Sequence, residues 1–305
     1  MIAVLCPGQG SQKPGFLQPW LELPGVQNHL EKLSDAAELD LIHYGTVADE
    51  QTIKDTAIAQ PLIVAAGIIA GTRYLEATSN LQKNIVFAGH SVGEITAATL
   101  SGVLTEEEAM AFTRVRAQGM AQAAAEEKTG MAAVLGSDEK SITEAIKEAS
   151  LYVANMNGAG QIVAAGAEEH LQNLAQNPPA KTRVITLKVA GAFHTPYMEP
   201  AQTPLNEYAQ TISPSAPQGI LISNYDGSTL DTGTECIERL IRQVTAPVRW
   251  DLCMETLKKC GVQTAVELSP AGTLLGLVRR TIPQVSRVTL NTPEELKLFV
   301  EASQS

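Results

Sequence analysis

The sequence predicts an α/β fold in which helices flank a mostly parallel sheet. Two unbroken apolar runs, at residues 2–6 and 85–88, each end in a glycine-containing turn. Such runs are typical of strands buried on both faces of a parallel sheet. The apolar segments 219–224 and 264–269 predict two further buried strands, separated by helices. Strands and helices therefore alternate along the chain, as they do in α/β proteins.

The middle of the chain has a different pattern, made of shorter units. Between Met131 and Val189 the predicted elements follow the order βαββαβ, which is the split βαβ arrangement. We interpret residues 128–190 as a subdomain inserted into a discontinuous core, which comprises residues 1–127 and 191–305.

Charge and composition exclude several classes of function. Lys and Arg total 22 against 33 Asp and Glu, and the net charge of -11 repels a nucleic-acid backbone. The longest apolar stretches, such as residues 63–70, are far shorter than the ~20 residues that span a bilayer, so we expect no membrane helix. The four cysteines form no CxxC pair, which favours free thiols in a reducing cytoplasm.

Two pairs of basic residues stand out on this acidic chain. Arg279 with Arg280, and Lys181 with Arg183, are candidates for contact with an acidic partner. The alternative for both pairs is ordinary solvated surface charge.

A candidate nucleophile stands between the second strand and the helix predicted after it, at residues 92–101. Residues 89–93, GHSVG, fit the pattern G-x-S-x-G in the strand–turn–helix context of a nucleophile elbow. The glycines allow a tight turn that projects the Ser91 hydroxyl, and the helix N-terminus faces any developing oxyanion. The alternative is an ordinary glycine-rich turn.

A nucleophilic serine needs a base, and the sequence has five histidines. His194 lies in GAFHTP, just past a predicted strand end, where α/β sheets place catalytic groups. His90 is expected to point away from its neighbour Ser91. The other three are predicted on surface helices or loops: His29, His43 and His170.

No acidic residue is in place to complete a triad. The acids between Ser91 and His194 are expected in a long helix at 104–126 or in the inserted subdomain, and none follows a core strand. We therefore predict a Ser–His dyad, in which a backbone carbonyl or a neutral side chain orients His194.

Two further segments bear on an anionic substrate. On the 104–126 helix, Arg116 shares an apolar face with Phe112 and Met120, whereas Arg114 points roughly the opposite way. A cation on a buried face needs an anion, although a structural salt bridge or a snorkelling side chain is the alternative. Residues 7–12, PGQGSQ, lack the dinucleotide fingerprint but present amides that can supply a second oxyanion donor.

Taken together, these segments resemble the malonyl-CoA:acyl carrier protein transacylases, which load malonyl units for fatty acid and polyketide synthesis. The match covers nearly the whole chain, in order, through PGQGSQ (7–12), AQP (59–61), GHSVGE (89–94), VRAQGM (115–120), TGMAAVLG (129–136), NMNGAGQIVAAG (155–166), GAFHTPYM (191–198), QVTAPVRW (243–250) and ELSPAGTLLG (267–276).

The resemblance implies a hydrolase-like core with an inserted ferredoxin-like subdomain. It implies ping-pong transfer of malonyl from malonyl-CoA to the phosphopantetheine thiol of acyl carrier protein, through a malonyl-serine. The transfer it implies needs no metal or bound cofactor. We also expect a monomer and, from the cysteine spacing, a cytoplasmic protein.

The resemblance also assigns roles to individual residues. Ser91 is the nucleophile, His194 the base, and Gln243 supplies the carbonyl that orients the base. The amides of Gln9 and Val92 form the oxyanion hole, and Arg116 pairs with the free carboxylate of malonyl. The resemblance also implicates further residues in substrate or carrier binding: Gln60, Phe193, which favours malonyl over methylmalonyl, Asn155, Asn157, Lys181 and Arg183. Arg279 and Arg280 are carrier or CoA-phosphate candidates because of their charge alone.

Three alternatives remain open at this stage. The acceptor could be the carrier protein of a polyketide pathway or of a malonate decarboxylase. The elbow and dyad alone would also serve an esterase or thioesterase. A non-catalytic module that docks a carrier protein is the third, and the intact Ser91, His194 and Arg116 argue against it.

Overall fold

The computed structural model describes residues 1–79 and 85–304. Its ten strands, in chain order, are β1 (Ile2–Cys6), β2 (Ile85–Gly89), β3 (Thr129–Leu135), β4 (Tyr152–Gly158), β5 (Gln161–Ala167), β6 (Arg183–Thr186), β7 (Ile220–Ile222), β8 (Thr229–Leu230), β9 (Thr264–Leu268) and β10 (Ser286–Leu290). The twelve α-helices of these residues are α1 (Val26–Ala37), α2 (Leu41–Thr46), α3 (Thr56–Thr78), α4 (Gly93–Leu100), α5 (Glu106–Glu126), α6 (Glu139–Glu148), α7 (Glu168–Gln176), α8 (Gln202–Ala209), α9 (Gly233–Arg242), α10 (Trp250–Lys259), α11 (Thr273–Thr281) and α12 (Pro293–Gln304). Three short 3-10 helices lie at Gln18–Glu22, Thr52–Lys54 and Pro196–Ala201.

The larger sheet contains six strands in the order β10-β9-β1-β2-β7-β8. All neighbours pair in parallel except β7 and β8, which are antiparallel. The predicted mostly parallel sheet with flanking helices is therefore confirmed. The two edge strands β8 and β10 were not predicted, because β8 has only two residues and the sequence of β10, SRVTL, is not an apolar run.

Both faces of the larger sheet are covered. Along β1, Val4 and Cys6 join one buried apolar cluster with α3 and α5, while Ala3 and Leu5 join another with α10 and α11. This alternation follows from the two-residue period of a strand. Burial on both faces explains why β1 reads as an unbroken apolar run.

The smaller sheet is antiparallel, in the order β4-β5-β3-β6, and carries α6 and α7. Its elements follow one another as βαββαβ, which confirms the arrangement predicted for the middle of the chain. Strand β6 is shorter than the predicted segment, which extended to Val189. A bridge between Asn155 of β4 and Val248 joins this sheet to the core.

Helix α3 is much longer than the apolar run at 63–70 suggested. Its most apolar 18-residue window has a mean hydropathy of 1.4, so length and composition alone would allow it to cross a membrane. However, 78% of that window is buried inside the protein, where α3 packs against α4 and α5. Its apolar sequence is therefore accounted for by burial in the protein core.

Candidate active site

The turn after β2 has the geometry of a nucleophile elbow. Ser91 has a φ of 54°, in the left-handed region, and α4 begins two residues later. A Cβ atom on Gly93 would lie 2.1 Å from the carbonyl oxygen of Cys6, and one on Gly89 would lie 2.2 Å from the backbone of α4. Both glycines of the G-x-S-x-G pattern are thus required by close approach of the backbone.

His194 contacts the Ser91 hydroxyl directly. Its Nε2 lies 2.7 Å from Ser91 Oγ, and its Nδ1 lies 2.7 Å from the backbone carbonyl oxygen of Gln243. A carbonyl oxygen only accepts hydrogen bonds, so Nδ1 carries the proton and Nε2 is free to accept one from Ser91. The structure therefore brings together the predicted Ser–His pair and the predicted orienting carbonyl.

The loop that carries His194 is tied to the smaller sheet. The N–H of Ala192 donates to Thr129 Oγ1 over 3.0 Å, and Thr195 Oγ1 donates to the Ala192 carbonyl over 2.6 Å. These bonds stabilise the left-handed backbone of His194, whose φ is 61°. The imidazole position therefore depends on where β3 begins.

The His194 side chain is kept neutral. Burial lowers its pKa to about 3, helped by the positive charge of Arg116, and the bond to Gln243 opposes this only in part. At neutral pH the imidazole is thus an unprotonated base, the form that accepts the Ser91 proton.

Arg116 projects from the buried face of α5 toward the nucleophile. Its Nη2 lies 3.3 Å from Ser91 Oγ and donates to Gln243 Oε1 over 2.8 Å, while Nη1 donates to Gln60 Oε1 over 2.6 Å. The guanidinium is 1% exposed, and burial lowers its pKa to about 10, so it stays charged at neutral pH. The sequence argument placed Arg116 on the correct face. Arg114 instead pairs with Glu38 at 3.0 Å.

One acid beside the site contradicts the expectation from sequence. Glu94, in the first turn of α4, is 1% exposed and belongs neither to the 104–126 helix nor to the subdomain. Its carboxylate accepts from Gln243 Nε2 over 2.5 Å and from the Asn224 N–H over 2.8 Å. Sequence reasoning overlooked it, although an acid in the otherwise uncharged helix GEITAATL was a usable signal. Glu94 does not contact His194, so the dyad prediction is unaffected.

A cavity of about 100 Å³ opens onto Ser91 and His194. Its other lining residues are Gln9, Gln60, His90, Met120, Met131, Asn155, Val163, Leu187, Val189 and Phe193. Of the residues predicted to bind substrate, Gln60, Asn155 and Phe193 thus lie in the cavity. The cavity is small and largely apolar, which suits a short acyl group. Arg116, beside Ser91, can pair with one negative charge on that group.

A groove of about 290 Å³ adjoins this cavity and shares Gln9 and His90 with it. Asn157 and Arg280 line the groove, together with the apolar residues of α11. His90 Nε2 lies 3.0 Å from Asn157 Oδ1, so His90 faces the groove rather than the Ser91 hydroxyl.

The other basic candidates lie outside these two spaces. Arg279, Lys181 and Arg183 are exposed, and they line neither the cavity nor the groove. A larger cavity, about 600 Å³, contains none of the predicted site residues and is lined by Glu126, Glu127 and Glu199, which would repel an anionic substrate. Within residues 1–79 and 85–304, no group of three or more His, Cys, Asp or Glu could hold a metal ion.

A serine on a strand–helix elbow, a neutral histidine and a buried arginine define a serine-dependent acyl-group enzyme. A family model described as the acyl transferase domain matches residues 4–294. The malonyl CoA-acyl carrier protein transacylase of Mycobacterium tuberculosis (strain H37Rv) is 45% identical over 296 residues, which is 97% of this chain and 98% of that protein. The protein of the same description from Escherichia coli (strain K12) is 28% identical over 98% of this chain and 99% of its own.

Solved structures of malonyl transacylases have the same fold as this chain. A crystal structure of the M. tuberculosis enzyme superposes with a TM-score of 0.95 at 45% identity, covering 98% of this chain and 99% of that one. A malonyl-transacylase in complex with a type II PKS acyl-carrier protein superposes with a TM-score of 0.91 at 28% identity, covering 99% of both chains. The chain belongs to the acyl transferase family and, within it, to the malonyl-CoA:acyl carrier protein transacylases.

Proposed function

We propose that this enzyme transfers malonyl from malonyl-CoA to the phosphopantetheine thiol of an acyl carrier protein, through a malonyl ester on Ser91. It supplies malonyl units for fatty acid or polyketide synthesis. The observation that carries the proposal is the position of the Arg116 guanidinium, 3.3 Å from the nucleophilic oxygen. A charge there matches an acyl group that bears its own carboxylate.

The first half-reaction acylates the enzyme. His194 Nε2 takes the Ser91 proton while Oγ bonds to the thioester carbon, and the amides of Gln9 and Val92 hold the resulting oxyanion. Collapse breaks the C–S bond, and the His194 imidazolium gives its proton to the departing CoA sulfur. The low pKa of His194 favours this return of the proton.

Arg116 contributes in two ways. It binds the distal carboxylate of malonyl, which acetyl lacks. Its charge also disfavours the His194 imidazolium in the empty site. A bound malonyl carboxylate offsets that charge, so the correct substrate eases proton transfer to the base.

The second half-reaction discharges the ester. The carrier thiol gives its proton to His194 as sulfur attacks the malonyl carbonyl, and the C–Oγ bond breaks with the proton returning to Ser91. Asn155 Oδ1 is buried, has no hydrogen-bond partner among residues 1–79 and 85–304, and lies on the cavity wall, where it can accept from an amide of the pantetheine arm. Arg280 lines the groove, and its charge would attract an acidic carrier protein.

We propose that the enzyme acts as a cytoplasmic monomer without a bound cofactor. The cysteines Cys6, Cys236, Cys253 and Cys260 are unpaired, which supports a reducing compartment. We also propose that residues 128–190 form the inserted subdomain and that 1–127 and 191–305 form the core. Of these ranges, residues 80–84 and 305 lie outside the described part of the chain.

A two-stage incubation tests the proposal against a thioesterase. The enzyme is first mixed with malonyl-CoA, freed of excess donor, and then given a phosphopantetheinylated acyl carrier protein. The proposal predicts malonyl on the carrier protein, whereas a thioesterase would release free malonate at a similar rate whether or not the carrier is present. Carrier proteins from fatty acid and polyketide systems, tested in parallel, identify the acceptor.

A further inference from the structure

Glu94 is a buried charge that the reaction steps above do not use. It lies three residues after Ser91, and 149 positions separate it from its hydrogen-bond partner Gln243. Burial raises the pKa of its carboxyl group to about 7. Both carboxylate oxygens nevertheless accept from N–H donors, which is the arrangement of an ionised carboxylate.

The Gln243 side chain connects this carboxylate to Arg116. Its Nε2 donates to Glu94 Oε2 over 2.5 Å and to the Ser91 carbonyl over 3.1 Å. Its Oε1 accepts from Arg116 Nη2 over 2.8 Å. An amide has one donor end and one acceptor end, so an anion on one side fixes which end meets the cation on the other.

We propose that Glu94 is a positioning residue for substrate selection: through the Gln243 side-chain amide, it holds the Arg116 guanidinium where the malonyl carboxylate binds. The inference rests on the proposed malonyl transfer. It adds a role for an acid whose side chain hydrogen-bonds to Asn224 and Gln243 rather than to Ser91 or His194. Because Gln243 also orients His194 through its backbone carbonyl, one residue links the base and the selecting cation.

The substitution Glu94→Gln changes the donor pattern with little change in size. The new amide must turn its NH2 group toward either the Asn224 N–H or Gln243. Facing Gln243, it would favour a reversed Gln243 amide, whose own NH2 would then meet the Arg116 guanidinium and displace it. Facing Asn224, it would leave a buried backbone N–H unpaired.

The test compares self-acylation by malonyl-CoA and by acetyl-CoA in single-turnover experiments. We expect Glu94→Gln to lower the second-order rate constant for acylation by malonyl-CoA by about 10-fold or more, the effect of one charge-assisted hydrogen bond, and to change that for acetyl-CoA much less. Gln243→Met, which keeps the backbone carbonyl, should lower the malonyl-to-acetyl ratio similarly. In the double variant, Glu94→Gln should add nothing further to that change.

Glu267→Gln is the matched control. Glu267 is also a fully buried carboxylate whose oxygens accept from backbone N–H groups, those of Leu274 and Leu275 at 2.9 Å. The Glu267→Gln variant should be less stable than the wild type but should keep the wild-type malonyl-to-acetyl ratio.

An equal loss for both donors in Glu94→Gln, or additive effects in the double variant, would overturn the proposal. If Glu94→Gln does not fold, Gln243→Met decides the question. An unchanged malonyl-to-acetyl ratio in Gln243→Met would also overturn the proposal. A wild type that never forms a malonyl ester would instead refute the proposed function itself.

Discussion

The backbone carbonyl oxygen of Gln243 accepts a hydrogen bond of 2.7 Å from Nδ1 of His194. This bond selects the tautomer whose Nε2 faces the Ser91 hydroxyl, also at 2.7 Å. A neutral carbonyl thus occupies the place that an acid occupies in a catalytic triad.

His194→Ala should lower the rate of acyl transfer by roughly 10²–10⁴, the usual effect of losing a positioned base. Single-turnover labelling by malonyl-CoA measures it. Glu94→Gln replaces the buried acid beside the site by an amide. With acetyl-CoA as donor, it should lower the rate of labelling much less than His194→Ala does. If it lowered the rate as much, an acid would be taking part in the base function and the dyad assignment would be wrong.

His194 should also make stability depend on pH. Its pKa is about 3 in the folded protein and 6.5 as the unperturbed value, so between these values the unfolded chain binds the extra proton. We therefore compare the free energy of unfolding of the wild type with that of His194→Ala. The wild-type value minus the variant value should grow as pH rises from about 3 to 6.5, and it should be constant above pH 6.5. Denaturant titrations at several pH values test this, and a difference that shrinks over the same window would contradict it.

Arg116→Ala should change the choice of donor. Charge-assisted hydrogen bonds contribute roughly 1.5–3 kcal/mol each, so losing one to the malonyl carboxylate corresponds to about 10-fold to 150-fold. Malonyl transfer should fall by at least this factor, while acetyl transfer holds steady or rises. Arg114→Ala, which breaks the ion pair with Glu38, is the control and should do neither. If Arg116→Ala lowered the rates of malonyl and acetyl transfer by a similar factor, Arg116 would have a structural role and would not select the donor.

Reversing the charge of Arg280, which lines the groove, together with that of its exposed neighbour Arg279 should affect the carrier protein selectively. Arg279→Glu combined with Arg280→Glu should weaken transfer to the carrier and leave self-acylation nearly unchanged, because two acidic side chains here would repel an acidic carrier protein that the two arginines would attract. Lys181→Glu combined with Arg183→Glu makes the same change of charge on exposed residues outside the groove. If the Lys181 and Arg183 variant lost more transfer to the carrier than the Arg279 and Arg280 variant, the carrier would dock beside the smaller sheet instead.

Much of this architecture could be predicted from local patterns. The elbow pattern and a histidine just past a predicted strand end predicted the Ser91–His194 pair, and helical periodicity predicted that Arg116 lies on the buried side of α5. The role of the Gln243 side chain could not be predicted in this way, since it depends on contacts with residues far away in sequence. The same holds for Lys181 and Arg183, whose distance from the groove depends on how the smaller sheet sits on the core.

In the proposed reaction, Ser91 carries the malonyl group between two thiols. Mass spectrometry of the protein incubated with malonyl-CoA alone detects this acyl-enzyme. We predict one malonyl adduct per chain, located on the peptide that contains Ser91, lost on addition of the carrier protein and absent from Ser91→Ala. A malonyl adduct that persists in Ser91→Ala, or that maps to another residue, would contradict the account.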